Sequence, residues 1–244
     1  MGRAGGSLAE RRCCHASAEG MSECSKRDAM EPMDGDRKAS VNVVALSGSL
    51  RANSSNTALL VASQRLAPPG LVIERYHGIA DLPHFNPDLA SELFARDGSI
   101  RAEGWNERHP GYAAVRELNA RVRAADGVLI ACPEYARGVP GAFKNALDWL
   151  VGGDGFVNKP FTLFNASPRA SHAQDALRVT LETMSGCFAE EAALAVPLLN
   201  RDLDASDIVA DEAIADRIRR ALVAFSGFIA EWRVEAGVYA DNPR

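Results

Sequence analysis

The sequence predicts an open parallel α/β sheet with helices covering both faces. Three observations point there. Five short apolar runs, most of them rich in β-branched residues, are spaced along residues 41–198. They are nearly continuous rather than alternating, as expected of strands buried on both faces. The segments between them carry helical periodicity, and strands alternating with helices close into a parallel sheet through right-handed crossovers.

In order, Val41–Leu46 (VNVVAL) reads as the first strand and Asn56–Leu66 as the helix after it. Leu71–Tyr76 reads as the second strand. Ala113–Ala125 sets Val115, Leu118, Val122 and Ala125 on one helical face, ahead of a third strand over Gly127–Ala131 (GVLIA). Pro140–Leu150 groups Phe143, Ala146, Leu147 and Leu150, with Pro140 suited to the first helical position. Phe161–Asn165 is the fourth strand. Ser171–Met184 opens on a capping-box signature, Ser171 with Gln174 three later, and turns Leu177, Thr180, Leu181 and Met184 inward. Ala193–Leu198 is the fifth strand, and a final helix over Ala205–Trp232 aligns Ile214, Ile218, Leu222, Phe225 and Ile229. Ligands of such sheets bind outside the carboxyl ends of the strands, where the winding reverses. The loops after strands one, three and four are therefore the ones to inspect.

The 244 residues are 47% hydrophobic and 24% charged, with a net charge of -5. This is ordinary globular composition, which excludes a fully disordered or fibrous chain. A mildly acidic protein has no overall attraction to nucleic acid or to anionic lipid. No stretch reaches the roughly 18 apolar residues of a membrane-spanning helix. Five scattered cysteines form no disulfide framework and fit a reducing cytoplasm. Residues 1–40 are polar, short of large apolar side chains, and hold seven basic and seven acidic residues. They read as a disordered tail ahead of one domain over residues 41–244. Cys13, Cys14, His15 and Cys24 of that tail fit no common zinc spacing, and no metal site is expected. His77, His84, His109 and His172 show no ligand spacing either.

The first loop, Ser47 to Asn56, is made of hydroxyls, amides and Arg51, and it leads into a helix N-terminus. Backbone N–H groups and the helix dipole favour an anion there, and Arg51 can fork onto phosphate oxygens. Without GKS or GKT, and without GxGxxG, a small phosphate monoester fits better than a nucleoside triphosphate or a dinucleotide. The plainer alternative is a Ser/Asn-rich turn before a capped helix. The second loop, Cys132 to Gly141, holds two prolines and two glycines. It is rigid and open, with backbone amides for a flat heterocycle and Tyr135 to pack against one. The third, Asn165 to Ser171, is short and polar on the same edge. Ser47 and Ser49 lack the GxSxG nucleophile elbow, so no side-chain nucleophile is expected.

The strings GSLRxxSxN and PEYxxxxPGxxKNxxDW, then KP, a strand and a Ser-containing loop, resemble the NADPH-dependent FMN reductase family, which includes chromate, azo and quinone reductases. The resemblance spans about residues 41–200 and implies a flavodoxin-like three-layer αβα sandwich on a five-stranded parallel sheet. On the family pattern, Ser49, Arg51, Ser54 and Asn56 would bind the FMN phosphate. Pro133, Glu134, Tyr135 and Gly138 would line the isoalloxazine, largely through backbone groups, and Ser167 would close the ring site. The chain departs from the pattern at Ala136, where the family often has Asn, at Gly138, where Ser is frequent, and at Ser171-His172, where a Gly-Gly pair is usual. Residues 89–110, with Trp105 and His109, form a longer segment than usual, readable as a lid or a subunit contact.

The resemblance implies a ping-pong NAD(P)H oxidoreductase in which flavin N5 takes the hydride and a small acceptor, quinone-type or an azo compound or metal oxyanion, takes two electrons. A flavin reductase feeding reduced FMN to a monooxygenase, an electron carrier without its own substrate, and a domain that has lost its flavin are the alternatives. Either NADPH or NADH could be the co-substrate. Glu134 and Arg137 could contact the NADPH phosphate or pair across subunits, or be solvated loop charges. Lys144, Asn145, Asp148 and Trp149 would cap, brace the loop or meet a partner subunit, and the family implies a homodimer or homotetramer in the cytoplasm.

Overall fold

In the computed structural model, residues 40–95, 97–101, 111–169, 171–198 and 203–240 are described. The expected tail falls almost wholly outside them, as do Trp105 and His109. Strands β1 (Val41–Ser47), β2 (Leu71–Tyr76), β3 (Gly127–Ala131) and β4 (Pro160–Asn165) lie parallel in the order β2-β1-β3-β4. Two short strands, β5 (Cys187–Phe188) and β6 (Leu194–Ala195), both pair in parallel with β4. The resulting order 2-1-3-4-5 is that of the flavodoxin-like fold, whose winding reverses between β1 and β3.

Alternation along the strands sorts their side chains into two cores. Val43, Ala45, Leu129, Ala131 and Phe164 turn to one face. There they meet Leu59 and Leu60 of α1 (Ser55–Arg65) and Ile214, Ile218, Leu222, Phe225 and Ile229 of the terminal helix. Val44, Leu46, Val128, Ile130, Phe161 and Leu163 turn to the other. They meet Val115, Leu118 and Val122, then Phe143, Leu147 and Trp149, then Leu177 and Leu181. These belong to three helices, α3 (Tyr112–Ala124), α4 (Gly141–Val151) and α5 (Ser171–Thr183). Every residue of β3 and β4 is buried, whereas β2, at the edge, alternates for its first four residues. Each fully buried Leu, Ile or Phe contributes about 1.5–3 kcal/mol, so this three-layer packing is the main term holding the sheet.

Four expectations are corrected. The fifth strand shrinks from Ala193–Leu198 to Leu194–Ala195, with Cys187–Phe188 supplying a separate first half. Acidic residues Glu190 and Glu191 lie in the 3₁₀ turn between them. The last helix is two, α6 (Ala205–Ala210) and α7 (Glu212–Ala240), because Asp211 is extended and its carboxylate accepts from the Ile214 N–H at 3.2 Å. Pro140 is the N-cap of α4 rather than its first residue. A helix not anticipated, α2 (Pro87–Leu93), starts at Asn86, whose side chain accepts from the Asp88 N–H. Leu93 and Phe94 at its end are buried in the second core, so this part of the long segment is structural.

Candidate functional site

The strand register places the three loops side by side. Ser47 pairs with Ala131, and Ala131 with Phe164, so the chain leaves β1, β3 and β4 nearly level. Gly48 continues the pairing, its N–H donating to the Ala131 carbonyl at 2.8 Å. A Cβ at Gly48 would lie 2.4 Å from the Cys132 sulfur, so only glycine lets the first loop lie against the second. Burial pushes the Cys132 thiol up to about 12, which leaves it a protonated packing group rather than a nucleophile.

The first loop is organised by hydroxyls. Ser47 Oγ lies 2.9 Å from Thr57 Oγ1, Ser49 N–H donates to Ser47 Oγ at 3.3 Å, and Arg51 N–H donates to Ser49 Oγ at 3.4 Å. Ser54 is extended and caps α1, accepting from the Thr57 N–H at 3.3 Å. No acidic residue occupies the first turn of α1, so its positive end stays open to an anion. Ser49, Ser54 and Asn56 are buried, and Asn56 Oδ1 has no hydrogen-bond partner among the described residues. A half-turn of that amide would present a donor instead. Arg51 is exposed at the rim.

The second loop is a tight turn. Tyr135 and Gly138 exchange N–H···O=C bonds of 3.0 Å in both directions, and the two residues between them, Ala136 and Arg137, have φ of 51° and 61°. This is the mirror-image turn in which Asn-Gly is the favoured pair. Each non-glycine residue so held carries strain of about 1 kcal/mol or more. Pro133 and Gly138 are half-buried, Tyr135 is 49% exposed, and Leu50 on the first loop is 55% exposed. Glu134 turns its carboxylate to the third loop's helix, where it accepts from the Ala173 N–H at 3.0 Å. It therefore acts as an anion on the α5 N-terminus. The capping box expected of Ser171 and Gln174 is replaced: Ser171 is already helical, and Gln174 Nε2 reaches the Cys132 carbonyl at 3.3 Å. Two hydrogen bonds thus tie the second loop to α5. Ser167, half-buried, donates its N–H to Asn165 Oδ1 at 2.8 Å.

Thr57 and Gln174 were not anticipated as members of this network. Thr57 had a signal, being three residues past a Ser cap. Gln174 had one that pointed to the wrong partner. The KNxxDW string serves a different loop from the one considered. Asn145 accepts from the Phe85 N–H at 2.8 Å and donates to the Pro83 carbonyl, which also takes the Trp149 Nε1–H at 2.8 Å. Lys144 and Asp148 pair with each other on the outer side of α4. Lys159, before β4, caps α3 at the opposite end of the sheet by donating to the Arg123 and Ala125 carbonyls. Among the described residues no group of three or more His, Cys, Asp or Glu could hold a metal ion.

A sequence model of the NADPH-dependent FMN reductase family matches residues 41–229. A quinone reductase of Escherichia coli is 28% identical over 200 residues, covering 80% of this chain and 98% of its own. An NAD(P)H-dependent FMN reductase of Pseudomonas aeruginosa is 28% identical over 198 residues, covering 79% and 97%. Among solved structures, the flavoenzyme NAD(P)H:acceptor oxidoreductase of Paracoccus denitrificans superposes with a TM-score of 0.58 at 28% identity, over 78% of this chain and 98% of that one. An oxidoreductase of Corynebacterium diphtheriae, at 20% identity, TM-score 0.51 and coverage of 80% and 99%, shares the fold.

The fold and the three loops thus define a flavodoxin-like oxidoreductase. The chain belongs to the NADPH-dependent FMN reductase family, with FMN as cofactor and NAD(P)H as electron donor. The residues present suit that group. An orphaned buried amide at Asn56, an acid-free first turn of α1 and two buried serines suit a phosphate.

Proposed function

We propose that the enzyme reduces small quinone-type acceptors, with donor and acceptor taking turns at one face of the flavin. The observation that carries this is the rim: a buried polar cradle after β1 stands beside two exposed apolar groups, Leu50 and Tyr135. FMN, when bound, supplies hydride uptake and release at N5. The chain supplies position. Ser49, Ser54, Asn56 and Arg51 would hold the phosphate. Backbone groups of Pro133, Glu134, Tyr135 and Gly138 would line the ring, and Ser167 would close its far side. The rigidity of the second loop, fixed by its two ties to α5, keeps that geometry in place between half-reactions. Tyr135 offers a flat apolar surface to an entering aromatic ring.

The test is a visible absorbance spectrum of the purified protein, before and after anaerobic NADPH, followed by a benzoquinone. Flavin bands that bleach and then return, with parallel lines in double-reciprocal initial-rate plots, are expected. Bands that NADPH does not bleach would overturn the enzyme reading in favour of an electron carrier. Reduced FMN that leaves the protein on gel filtration would overturn the quinone reading in favour of a supplier of reduced flavin.

A further inference from the structure

The tip of the second loop holds a strained arginine. Arg137 sits at φ 61°, in the second central position of the turn, where glycine is the default. Its side chain is exposed and has no hydrogen bond or ion pair among the described residues. The one acid of that loop, Glu134, makes no ion pair with it, its carboxylate turned to the Ala173 N–H. Arg51 after β1 and Arg169 after β4 are likewise exposed and without a partner among the described residues. Arg121, Arg123, Arg178, Arg219 and Arg233 sit in ion pairs, while Arg101 and Arg220 are exposed elsewhere without a partner among the described residues. In a chain of net charge -5, three exposed arginines thus stand on the three loops of one sheet edge.

We infer that Arg137 is the specificity-determining residue for the electron donor, binding the 2′-phosphate of NADPH and so selecting it over NADH. The inference rests on the FMN site being at these loops. Two features separate this phosphate from that of FMN. The flavin phosphate has its own cradle after β1, at the Ser54-capped end of α1. Arg137 stands instead at the exposed tip of the ring-lining loop, which a donor arriving from solvent must pass. A guanidinium forks onto a phosphate monoester and finds no partner on the bare ribose of NADH. The two backbone bonds that close the turn hold the left-handed conformation, and with it the guanidinium, at the rim.

The experiment compares wild type, Arg137→Gly and Arg137→Lys. Glycine relieves the backbone, so loss of fold does not confound it. The expected result is a wild-type preference for NADPH. In Arg137→Gly the NADPH-to-NADH ratio of kcat/KM falls about 10- to 100-fold, mainly through KM, and in Arg137→Lys it is partly kept. Calorimetry of adenosine 2′,5′-bisphosphate should weaken by a similar factor in Arg137→Gly, while 5′-AMP is unaffected. An unchanged ratio in Arg137→Gly, or no wild-type preference for NADPH, overturns the proposal. So does weakened FMN binding with selectivity retained, which would give the guanidinium to the flavin phosphate. A wild-type protein that takes up no FMN defeats the underlying reading instead. In that case bisphosphate binding that Arg137→Gly abolishes still supports the anion contact, and its absence overturns it.

Discussion

One missing methyl group decides how the site closes. At Gly48 an added Cβ would press to 2.4 Å from the Cys132 sulfur and 2.9 Å from its Cβ. Gly48→Ala should therefore cost about 1–3 kcal/mol, the usual range for overpacking, and should weaken FMN binding because both loops must shift. Urea unfolding and a flavin titration would show it. Adding Cys132→Ala should restore only part of the loss, since the Cβ contact stays. An equal loss in the double variant would mean that the sulfur is not the obstacle. Three residues before Arg137, Glu134 shows how a side chain on a site loop can serve the frame. Ala136, the neighbour of Arg137 in the turn, at φ 51°, offers the opposite kind of change. Asparagine tolerates the left-handed region better than alanine does. Ala136→Asn is expected to stabilise the protein by about 0.5–1 kcal/mol, which is roughly 1–4 °C in Tm for a domain of this size. A lowered Tm would show that the turn is not where the strain lies.

At the scale of elements, the helices are set by what crosses between them. Asn145 and Trp149 of α4 hold the 83–85 segment that precedes α2, and Trp149 meets Phe85 and Tyr112 edge-on at ring-centre distances of 5.0 and 5.3 Å. Tyr76, the last residue of β2, donates its hydroxyl to the Ala114 carbonyl in the first turn of α3 at 2.9 Å. Burial first, then the charges of Glu117 and Asp81, push this phenol from 10.0 up to about 12. A raised acid holds its proton in the fold after the unfolded chain has lost it. The stabilisation it gives is complete below about pH 10 and disappears as pH rises towards 12. Wild type should therefore lose about 1–2 kcal/mol across that window beyond what Tyr76→Phe loses, measured by urea midpoints against pH. Equal slopes for the two proteins would remove Tyr76 as the source.

Over the whole molecule, the sheet is a spine with one firm side and one broken edge. β3 and β4 are buried throughout, while β5 and β6 are two residues each and separated by a 3₁₀ turn. Hydrogen exchange should be slowest for the amides of β1, β3 and β4, and faster at residues 187–195, where each strand is only two residues long even though Ala189, Ala192 and Leu194 pack into the first core. Protection at 187–195 matching that of β3 would mean the edge is covered by something else. No described helix is long and apolar enough to cross a membrane. Ion pairs line several helices, while Arg51, Arg137 and Arg169 on the three loops of the carboxyl edge are exposed without an ion pair among the described residues. Their placement favours anionic ligands at the edge where the three loops emerge.

The layered parallel sheet, the order of its elements and the three ligand loops could be read from the chain, because buried strands and amphipathic helices write their periods locally. Val115, Leu118 and Val122, or Ile218, Leu222 and Phe225, need no partner to declare an inner face. The two motif strings carried the family as well. Tertiary structure alone decided what depends on contacts between distant residues. It split the fifth strand and turned Gln174 from its own helix end to the Cys132 carbonyl. It sent Glu134 to Ala173, gave Asn145 and Trp149 to the segment after β2, and left Arg137 strained and unpaired at the rim. The physical reason is the same in each case: a hydrogen bond or a close approach between positions tens of residues apart follows from packing and register, which no local pattern encodes.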